Sequence, residues 1–208
     1  MKPLEGLYAI TPDWADTARL IAATEAILKG GCRLLQYRNK TTSPAHRDEQ
    51  AVALRGLTRH HGALLMINDD VELALACEAD GVHLGIGDGD LGQARKRLGP
   101  NRLLGVSCYQ SLALAEAAAR TGVDYLAFGS FFPSATKPEA KRADPALLAA
   151  ARTRFGLPVA AIGGIDLNNA GGLVGAGADL LAVITAVYNA DDPERASRTF
   201  QHFFEDKT

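Results

Sequence analysis

The segment LLQYRNK at residues 34–40 places an amide and two cations at alternate positions. Successive side chains of a strand point to opposite faces, so Gln36, Arg38 and Lys40 share one face if the segment is extended. Arg offers a planar pair of donors and Lys a point charge, and both suit phosphate oxygens. The spacing therefore predicts an anion site at the end of a strand. The alternative is an edge strand whose solvent face carries charge.

Asp69 and Asp88 are the candidate metal ligands, because each follows a short apolar segment that is typical of a strand. Mg²⁺ takes carboxylate oxygens, keeps several waters and completes its shell with substrate phosphates. Two carboxylates near the cations Arg38, Lys40 and Lys137 therefore predict a magnesium pyrophosphate site. The structural alternative is that Asp69 or Asp70 caps the following helix and that Asp88 and Asp90 belong to the glycine-rich turn IGDGD.

The elements that would position these residues recur along the whole chain. Short apolar segments rich in β-forming residues alternate with Ala- and Leu-rich helical patterns. Eight such units predict a parallel sheet closed into a (β/α)8 TIM barrel, an α/β fold, with a doubly wound open sheet as the alternative. The predicted strands cover residues 6–11, 33–38, 64–69, 81–85, 103–108, 125–132, 159–165 and 180–187. The predicted helices cover 16–29, 44–60, 70–77, 91–98, 111–121, 144–154, 167–176 and 192–204.

In such a barrel the chemistry lies at the C-terminal ends of the strands and in the loops that follow them. Polar residues concentrate at those ends in this sequence, and the opposite ends are almost free of them. The chain of 208 residues is short for such a barrel, whose usual length is about 250, so we expect compact loops and a single domain over residues 1–208. The residues at these ends are Gln36, Arg38, Lys40, Asn68, Asp69, Asp70, His83, Asp88, Ser107, Tyr109, Ser134, Thr136, Lys137, Gly163, Gly164 and Thr185.

A second anion site is predicted after the seventh and eighth strands. Gly163 and Gly164 follow the seventh strand, and Thr185 lies near the end of the eighth. Glycines let backbone N–H groups approach a phosphate, and the loops after these two strands frequently bind phosphate in barrels. The alternative is that the glycine pair serves a tight turn.

The composition excludes several classes of protein. Hydrophobic residues make up 47% of the chain and charged residues 22%, which is ordinary for a globular protein. The formal net charge of −2 gives no global attraction to nucleic acid or to an anionic membrane, so any anion binding must be local. No apolar stretch is long enough to cross a bilayer, and none forms a signal peptide. We expect a cytoplasmic protein that acts on small molecules, and the sequence leaves open whether it is a homo-oligomer.

The three cysteines, Cys32, Cys77 and Cys108, are widely separated and lack a C-x-x-C spacing, which argues against a disulfide framework and a zinc site. Cys108 lies near the predicted mouth of the barrel, but no His stands beside it in sequence, so we predict no nucleophile there. We expect His83 to point into the barrel or to hold a neighbouring loop by a hydrogen bond, rather than to act in catalysis.

These residues occur in motifs that resemble those of the thiamine phosphate synthase family. Seven motifs follow one another in the family's order, and with the segment AGADLLAVITAV they cover nearly the whole chain. They are LYAITPD at 7–13, Q-x-R-x-K in LLQYRNK, INDD at 67–70, DGVHLG at 80–85 with Asp88, GVSCY at 105–109, FGSFFPSATKP at 128–138 and PVAAIGGID at 158–166.

The resemblance implies a (β/α)8 barrel and an activity. Such enzymes join 4-amino-2-methyl-5-hydroxymethylpyrimidine pyrophosphate to 4-methyl-5-(2-phosphooxyethyl)thiazole with Mg²⁺, giving thiamine phosphate and pyrophosphate. By resemblance, Gln36 and Ser107 contact the aminopyrimidine, Arg38, Lys40, Asn68 and Lys137 hold the pyrophosphate, and Asp69 and Asp88 bind magnesium. Ser134, Thr136, Gly164, Ile184 and Thr185 would bind the thiazole phosphate, and catalysis would rest on Arg38, Lys40, Lys137 and Ser107.

The chain departs from the family pattern at three places. Asp70 stands where the family often has Arg, and we assign it no ligand role. Ile86 and Gly87 precede Asp88 where the family commonly has Q-x-D, so the carboxylate remains and the amide is lost. Ser134 replaces the first Thr of the family's T-x-T-K loop and keeps the hydroxyl.

The predicted chemistry needs no strong general base. When a C–O bond to pyrophosphate breaks, the ring amino group of the pyrimidine delocalises the positive charge, so the enzyme must stabilise the departing anion and position the thiazole nitrogen. Two alternatives remain open. A thiazole tautomerase on the same barrel would need no metal, but Tyr109 stands where we would expect its His. A phosphate-ligand sensor would bind without turnover.

Overall fold

A computed structural model of the chain describes residues 4–85, 87, 89–133 and 141–205. Parallel strands and helices alternate along it. The strands are β1 (Gly6–Ile10), β2 (Leu34–Tyr37), β3 (Leu64–Asn68), β4 (Gly81–Gly85), β5 (Leu103–Ser107), β6 (Tyr125–Gly129), β7 (Val159–Ile162) and β8 (Leu180–Val183). The helices are α1 (Thr17–Lys29), α2 (Pro44–His60), α3 (Val71–Ala76), α4 (Leu91–Leu98), α5 (Leu112–Ala119), α6 (Ala146–Phe155), α7 (Ala170–Gly175), α8 (Thr185–Tyr188) and α9 (Pro193–Glu205).

The eight strands form one closed barrel in sequence order. Each strand pairs in parallel with the next, and β8 returns to pair with β1, where Gly6 lies opposite Leu180 and Ala9 opposite Val183. An open doubly wound sheet would leave two edge strands, so this closing pair decides between the two predicted architectures. The prediction of a (β/α)8 barrel is confirmed, whereas the span of one domain from residue 1 to 208 stays a prediction.

The ends of the last three strands were predicted too far along the chain. The eighth strand was expected to run to residue 187, but β8 stops at Val183 and Thr185–Tyr188 forms the short helix α8. The sixth and seventh strands likewise end at Gly129 and Ile162. Val187 and other residues beyond these ends are buried too, so an apolar pattern continues past the strand and does not mark its end.

The side chains of the strands divide between two separate apolar clusters. Outward side chains such as Leu35, Leu65 and Leu181 pack with the helices. Inward side chains fill the barrel, as expected from the alternation of faces with period two. The inner cluster consists of Tyr8, Ile10, Leu34, Met66, Leu103, Tyr125, Ala127, Ala160, Leu180 and Ala182.

Three aspartates fasten the N-terminal ends of the strands. One precedes each of β4, β6 and β8, and its carboxylate accepts a hydrogen bond from a backbone N–H at the start of the preceding strand. An Arg from the helix that leads into that preceding strand pairs with the same carboxylate. The three sets, each of aspartate, backbone N–H and Arg, are Asp80, Leu65 and Arg55; Asp124, Leu104 and Arg95; and Asp179, Val159 and Arg152.

We predict that Asp124→Ala lowers the free energy of unfolding by about 2 to 3 kcal/mol, because it leaves Arg95 and the Leu104 N–H without their shared partner in a partly buried site. Urea unfolding followed by circular dichroism measures this change. The control is Glu194→Ala, which breaks the exposed pair with Arg198 and should cost less than about 0.5 kcal/mol. Equal losses in the two variants would contradict a fastening role for Asp124.

Candidate active site

A cavity of about 880 Å³ opens at the C-terminal ends of the strands. It lies above the inner apolar cluster. Among the described residues, each of the eight strands contributes to its wall, either from its C-terminal end or from the segment that follows. The nine predicted site residues that the structure describes all line this cavity: Gln36, Arg38, Lys40, Asn68, Asp69, Ser107, Gly164, Ile184 and Thr185. Asp88, Ser134, Thr136 and Lys137 lie outside the described residues, and the roles of all thirteen stay predictions.

The alternation in LLQYRNK is present in the structure. Gln36 is buried and faces the cavity together with Arg38 and Lys40. Tyr37 points the other way, where its hydroxyl donates to Gln50 Oε1 at 2.9 Å. Asn39 also points away and donates to the same oxygen at 3.1 Å. The segment is therefore not an edge strand with a charged solvent face, because β2 pairs with a neighbour on both sides.

Thr11 and Asp13 hold the two cations in place, and sequence reasoning assigned neither residue a role. Arg38 Nη1 donates to both carboxylate oxygens of Asp13, at 2.9 and 3.1 Å, and the Lys40 N–H donates to Asp13 Oδ1 at 2.7 Å. The Thr11 hydroxyl donates to the Arg38 carbonyl and accepts from the Arg38 N–H, each at 2.8 Å. The motif LYAITPD contains both residues and was the available signal.

The adjacent residues Asp69 and Asp70 differ in what their carboxylates contact. Asp70 caps α3, since its carboxylate accepts from the Leu73 N–H at 2.9 Å. Asp69 instead directs its carboxylate toward the cavity, where Oδ2 lies 3.2 Å from Lys40 Nζ. Its backbone has φ of 62°, a left-handed conformation that Asp and Asn tolerate better than most residues, and its N–H donates to the His83 carbonyl.

Hydrogen bonds join five polar side chains inside the barrel, beneath the cavity. Gln36 Nε2 donates to the Tyr8 hydroxyl at 2.6 Å, and the hydroxyls of Tyr8 and Tyr125 are 2.7 Å apart. His83 Nδ1 lies 2.9 Å from the Tyr125 hydroxyl and Nε2 lies 2.8 Å from Ser107 Oγ. We call these five residues the interior hydrogen-bond chain. The expectation that His83 points into the barrel is confirmed.

Burial keeps the two tyrosines of the interior hydrogen-bond chain neutral. Loss of solvent raises the pKa of both Tyr8 and Tyr125 well above the ordinary value of a phenol. Their hydroxyl groups therefore keep their protons throughout the neutral range and can each donate one hydrogen bond. The ring of Tyr125 also stacks on that of His83, with 5.6 Å between the ring centroids.

The glycine pair after β7 supports the loop that follows β6. Gly163 and Gly164 have φ of 103° and 63°, which side chains rarely adopt. A Cβ on Gly163 would lie 2.0 Å from Ser130 Oγ, and one on Gly164 would lie 2.2 Å from the Pro133 carbonyl oxygen. The pair thus serves a tight turn and a close contact, and Gly164 lines the cavity as well.

Residues 7–187 match the model of a family described as thiamine monophosphate synthase. The chain belongs to that family. The resemblance inferred from the seven motifs is therefore confirmed.

Relatives in the thiamine monophosphate synthase family align with the chain over nearly its full length. A protein named thiamine-phosphate synthase from Methylobacillus flagellatus is 55% identical over 204 residues, which are 98% of this chain and 97% of the relative. One of the same name from Thiobacillus denitrificans is 51% identical over 199 residues, 96% and 94% of the two chains. The solved structure of thiamine phosphate pyrophosphorylase from Pyrococcus furiosus is 35% identical, with a TM-score of 0.85 and coverage of 97% and 96%.

The described residues contain no group of three or more His, Cys, Asp or Glu side chains close enough to hold a metal ion, and Asp88 lies outside them. No helix in the described ranges has the length and apolar character that a membrane crossing requires.

The cysteines are poorly suited to act as nucleophiles. Cys32, Cys77 and Cys108 are all buried and none forms a disulfide. Burial raises the pKa of each thiol, and it raises that of Cys108 to about 12. At pH 8 only about one Cys108 thiol in ten thousand is then a thiolate, which is the reactive form.

We predict that the native protein reacts with iodoacetamide at pH 8 at least about 100-fold more slowly than the protein in guanidinium chloride, where three thiols should be alkylated per chain. Mass spectrometry of timed samples measures the rates. Rapid alkylation of Cys108 in the native protein would contradict the burial and the raised pKa described above.

Proposed function

We propose that this chain condenses 4-amino-2-methyl-5-hydroxymethylpyrimidine pyrophosphate with 4-methyl-5-(2-phosphooxyethyl)thiazole, giving thiamine phosphate and pyrophosphate. Membership of the thiamine monophosphate synthase family supports the overall reaction. The observation that carries the proposal for the site is a single cavity wall that combines the cations Arg38 and Lys40, the carboxylate of Asp69 and the polar side chains of Gln36 and Ser107.

Arg38, Lys40 and Asn68 bind the pyrophosphate group. Among the described residues, the side chain of Arg38 has a partner only through Nη1, which Asp13 holds, so Nε and Nη2 remain for phosphate oxygens. Asp13 fixes the guanidinium before the substrate arrives, and less side-chain entropy is then lost on binding. Lys137, which lies outside the described residues, would add a third cation.

The donor set at the end of β3 fits Mg²⁺. Asp69 provides a hard carboxylate oxygen at the cavity, and its interaction with Lys40 shows that the carboxylate faces the cationic wall. Asp69 would hold the ion together with Asp88, and the phosphate oxygens of the substrate would complete the shell. Once bound, Mg²⁺ neutralises charge on the departing pyrophosphate.

The reaction is a substitution at the methylene carbon of the pyrimidine. The C–O bond to pyrophosphate breaks with its electron pair leaving on oxygen, the ring amino group delocalises the resulting cation, and the thiazole nitrogen forms the new C–N bond. Arg38 and Lys40 stabilise the negative charge that grows on the leaving oxygen. Gln36 and Ser107 orient the ring so that the methylene carbon faces the thiazole nitrogen.

The thiazole phosphate binds on the opposite side of the cavity. Gly164, Ile184 and Thr185 lie together in the wall formed after β7 and β8. Backbone N–H groups and the Thr185 hydroxyl there would donate to phosphate oxygens, and Ser134 and Thr136 would contribute from outside the described residues.

The enzyme acts on these small molecules in the cytoplasm, and whether it does so as a homo-oligomer is a question that size measurements in solution answer.

We predict that Asp69→Asn lowers kcat/KM at least about 100-fold, because it removes a carboxylate that would bind Mg²⁺ and leaves the backbone undisturbed. Asn tolerates the left-handed backbone at this position as Asp does. A coupled assay that detects pyrophosphate and thiamine phosphate with both substrates present, at a series of Mg²⁺ concentrations, measures the loss.

The matched control is Asp70→Asn, one residue further along. Asn caps a helix as well as Asp does, so α3 stays capped and activity should remain within about twofold of the unchanged protein. Removal of Mg²⁺ by a chelator should abolish product formation in all variants. Full activity without metal would contradict the magnesium site, metal-independent isomerisation of a thiazole would support a tautomerase, and binding without product would support a sensor.

A further inference from the structure

The interior hydrogen-bond chain has a direction, which follows from counting its hydrogens. Each tyrosine has one hydroxyl hydrogen and is completely enclosed by the barrel. The Tyr8 oxygen accepts from Gln36 Nε2, and among the described residues the Tyr125 hydroxyl is the other group within hydrogen-bond distance of it. The Tyr8 hydrogen must therefore point to Tyr125, since a buried O–H without an acceptor is costly.

The direction propagates through the next two links. Because the Tyr125 oxygen accepts from Tyr8, the Tyr125 hydrogen points to His83 Nδ1, which must be the unprotonated nitrogen. His83 Nε2 then carries the hydrogen of the neutral ring and donates to Ser107 Oγ. The hydrogen of Ser107 is left to donate to a ligand in the cavity, which Ser107 lines.

The two ends of the interior hydrogen-bond chain are consequently opposite in character. Gln36 Nε2 is committed to Tyr8, so the amide oxygen Oε1 is available as an acceptor, and no described residue donates to it. Ser107, at the other end, offers a donor. If Gln36 were turned over, every link would reverse, and the cavity would offer an amide donor at Gln36 and an acceptor at Ser107. The two ends cannot both be donors while the buried links are intact.

We infer that Tyr8, Tyr125 and His83 are positioning residues that couple the hydrogen-bond character of Gln36 and Ser107, and that the direction set by Gln36 Nε2 favours a 4-aminopyrimidine, because its 4-oxo counterpart would require every buried link to reverse. This inference rests on the proposed function for the identity of the ligand. An aminopyrimidine offers an exocyclic N–H to the Gln36 oxygen and an unprotonated ring nitrogen to the Ser107 hydroxyl. The 4-oxo form presents an acceptor in place of the amine and a protonated nitrogen beside it.

The barrel makes specific room for this arrangement. Gly105 on β5 faces the Tyr125 ring, and a Cβ there would lie 2.0 to 2.3 Å from the ring carbons and the hydroxyl oxygen. Only glycine lets the phenol reach across to Tyr8 and His83. The other inward side chains at this depth, such as Met66 and Ala127, are apolar, so water is not a ready substitute for the missing partner of a broken link.

Tyr125→Phe tests the coupling because it removes one hydroxyl from the middle of the interior hydrogen-bond chain and touches neither Gln36 nor Ser107. Titration calorimetry compares the affinities for 4-amino-5-hydroxymethyl-2-methylpyrimidine and its 4-oxo analogue, each with saturating Mg²⁺ and pyrophosphate. We expect the unchanged protein to prefer the amino compound by at least about 30-fold, and Tyr125→Phe to reduce that preference below about fivefold. A simple loss of stability would weaken both affinities and leave their ratio unchanged.

Tyr188→Phe is the matched control. Tyr188 is buried, as Tyr125 is, and among the described residues its hydroxyl makes one hydrogen bond, 3.0 Å to Thr24 Oγ1, on the outer side of the barrel. Its removal should leave the amino-to-oxo preference unchanged. If Tyr125→Phe does not fold, Tyr8→Phe breaks the adjacent link and should reduce the preference in the same way.

Nuclear magnetic resonance of protein with ¹⁵N-labelled histidine gives a second readout that does not depend on catalysis. His83 should show one protonated Nε2 and one unprotonated Nδ1, and Tyr125→Phe should give a mixture of the two tautomers. The signal is assigned by its loss in His83→Gln. A protonated Nδ1 in the unchanged protein, or an unaltered amino-to-oxo preference in Tyr125→Phe, would overturn the inference.

The two proposals fail in different ways. If the unchanged protein forms no thiamine phosphate from both substrates with Mg²⁺, the proposed function fails. The tautomer of His83 still tests the direction of the interior hydrogen-bond chain in that case. If turnover is normal and the preference survives in Tyr125→Phe, the inference alone is overturned.

Discussion

Closure of the sheet through the pairing of β8 with β1 is the constraint on which the rest of the structure depends. With no free edge, every strand has neighbours on both sides, and each side chain must point either into the barrel or toward the helices. All strands are parallel, so their C-terminal ends meet on one rim. Residues as distant in sequence as Gln36 and Thr185 therefore line one cavity, although nothing in their local sequence brings them together.

The contacts that fasten the strands and the residues of the candidate active site lie at opposite ends of the barrel. At the N-terminal end, Asp80, Asp124 and Asp179 repeat one arrangement in which each carboxylate joins a helix Arg to a strand N–H. These charges are mutually satisfied and have little capacity left for a ligand. At the C-terminal end, Arg38 and Lys40 share a wall with Asp69, and the described partners of Arg38 leave part of its guanidinium for phosphate oxygens. The contacts that fasten the strands therefore lie at the end of the barrel opposite the proposed substrate site.

The sequence predicts the barrel well because short, continuously apolar strand segments and helical patterns are local signals. The alternation in LLQYRNK also places three side chains in the cavity correctly. It misses features that depend on distant partners. Asp13 and Arg38 are 25 residues apart, and Tyr8 and Tyr125 are 117 apart, so no window along the chain reveals either contact. The late strand ends were missed for a different reason: residues such as Val187 stay buried after the strand has stopped.

The proposed substitution by departure of an anion would explain why this site is organised in advance rather than equipped with a base. A departing pyrophosphate needs fixed positive charge at the place where negative charge develops, and mobile cations would have to reorganise during the reaction. Asp13 holds the Arg38 guanidinium in position in advance. Thr11 and Asp13 also hydrogen-bond to the backbone of Arg38 and Lys40 and so fix the segment that carries Lys40. The carboxylate of Asp13 weakens the net positive charge of the wall, and it also holds the guanidinium in place, so that less side-chain entropy would be lost on binding phosphate. Beneath it, the interior hydrogen-bond chain would apply the same rule to neutral groups, because in our proposal it sets the direction of each donor before the substrate ring enters.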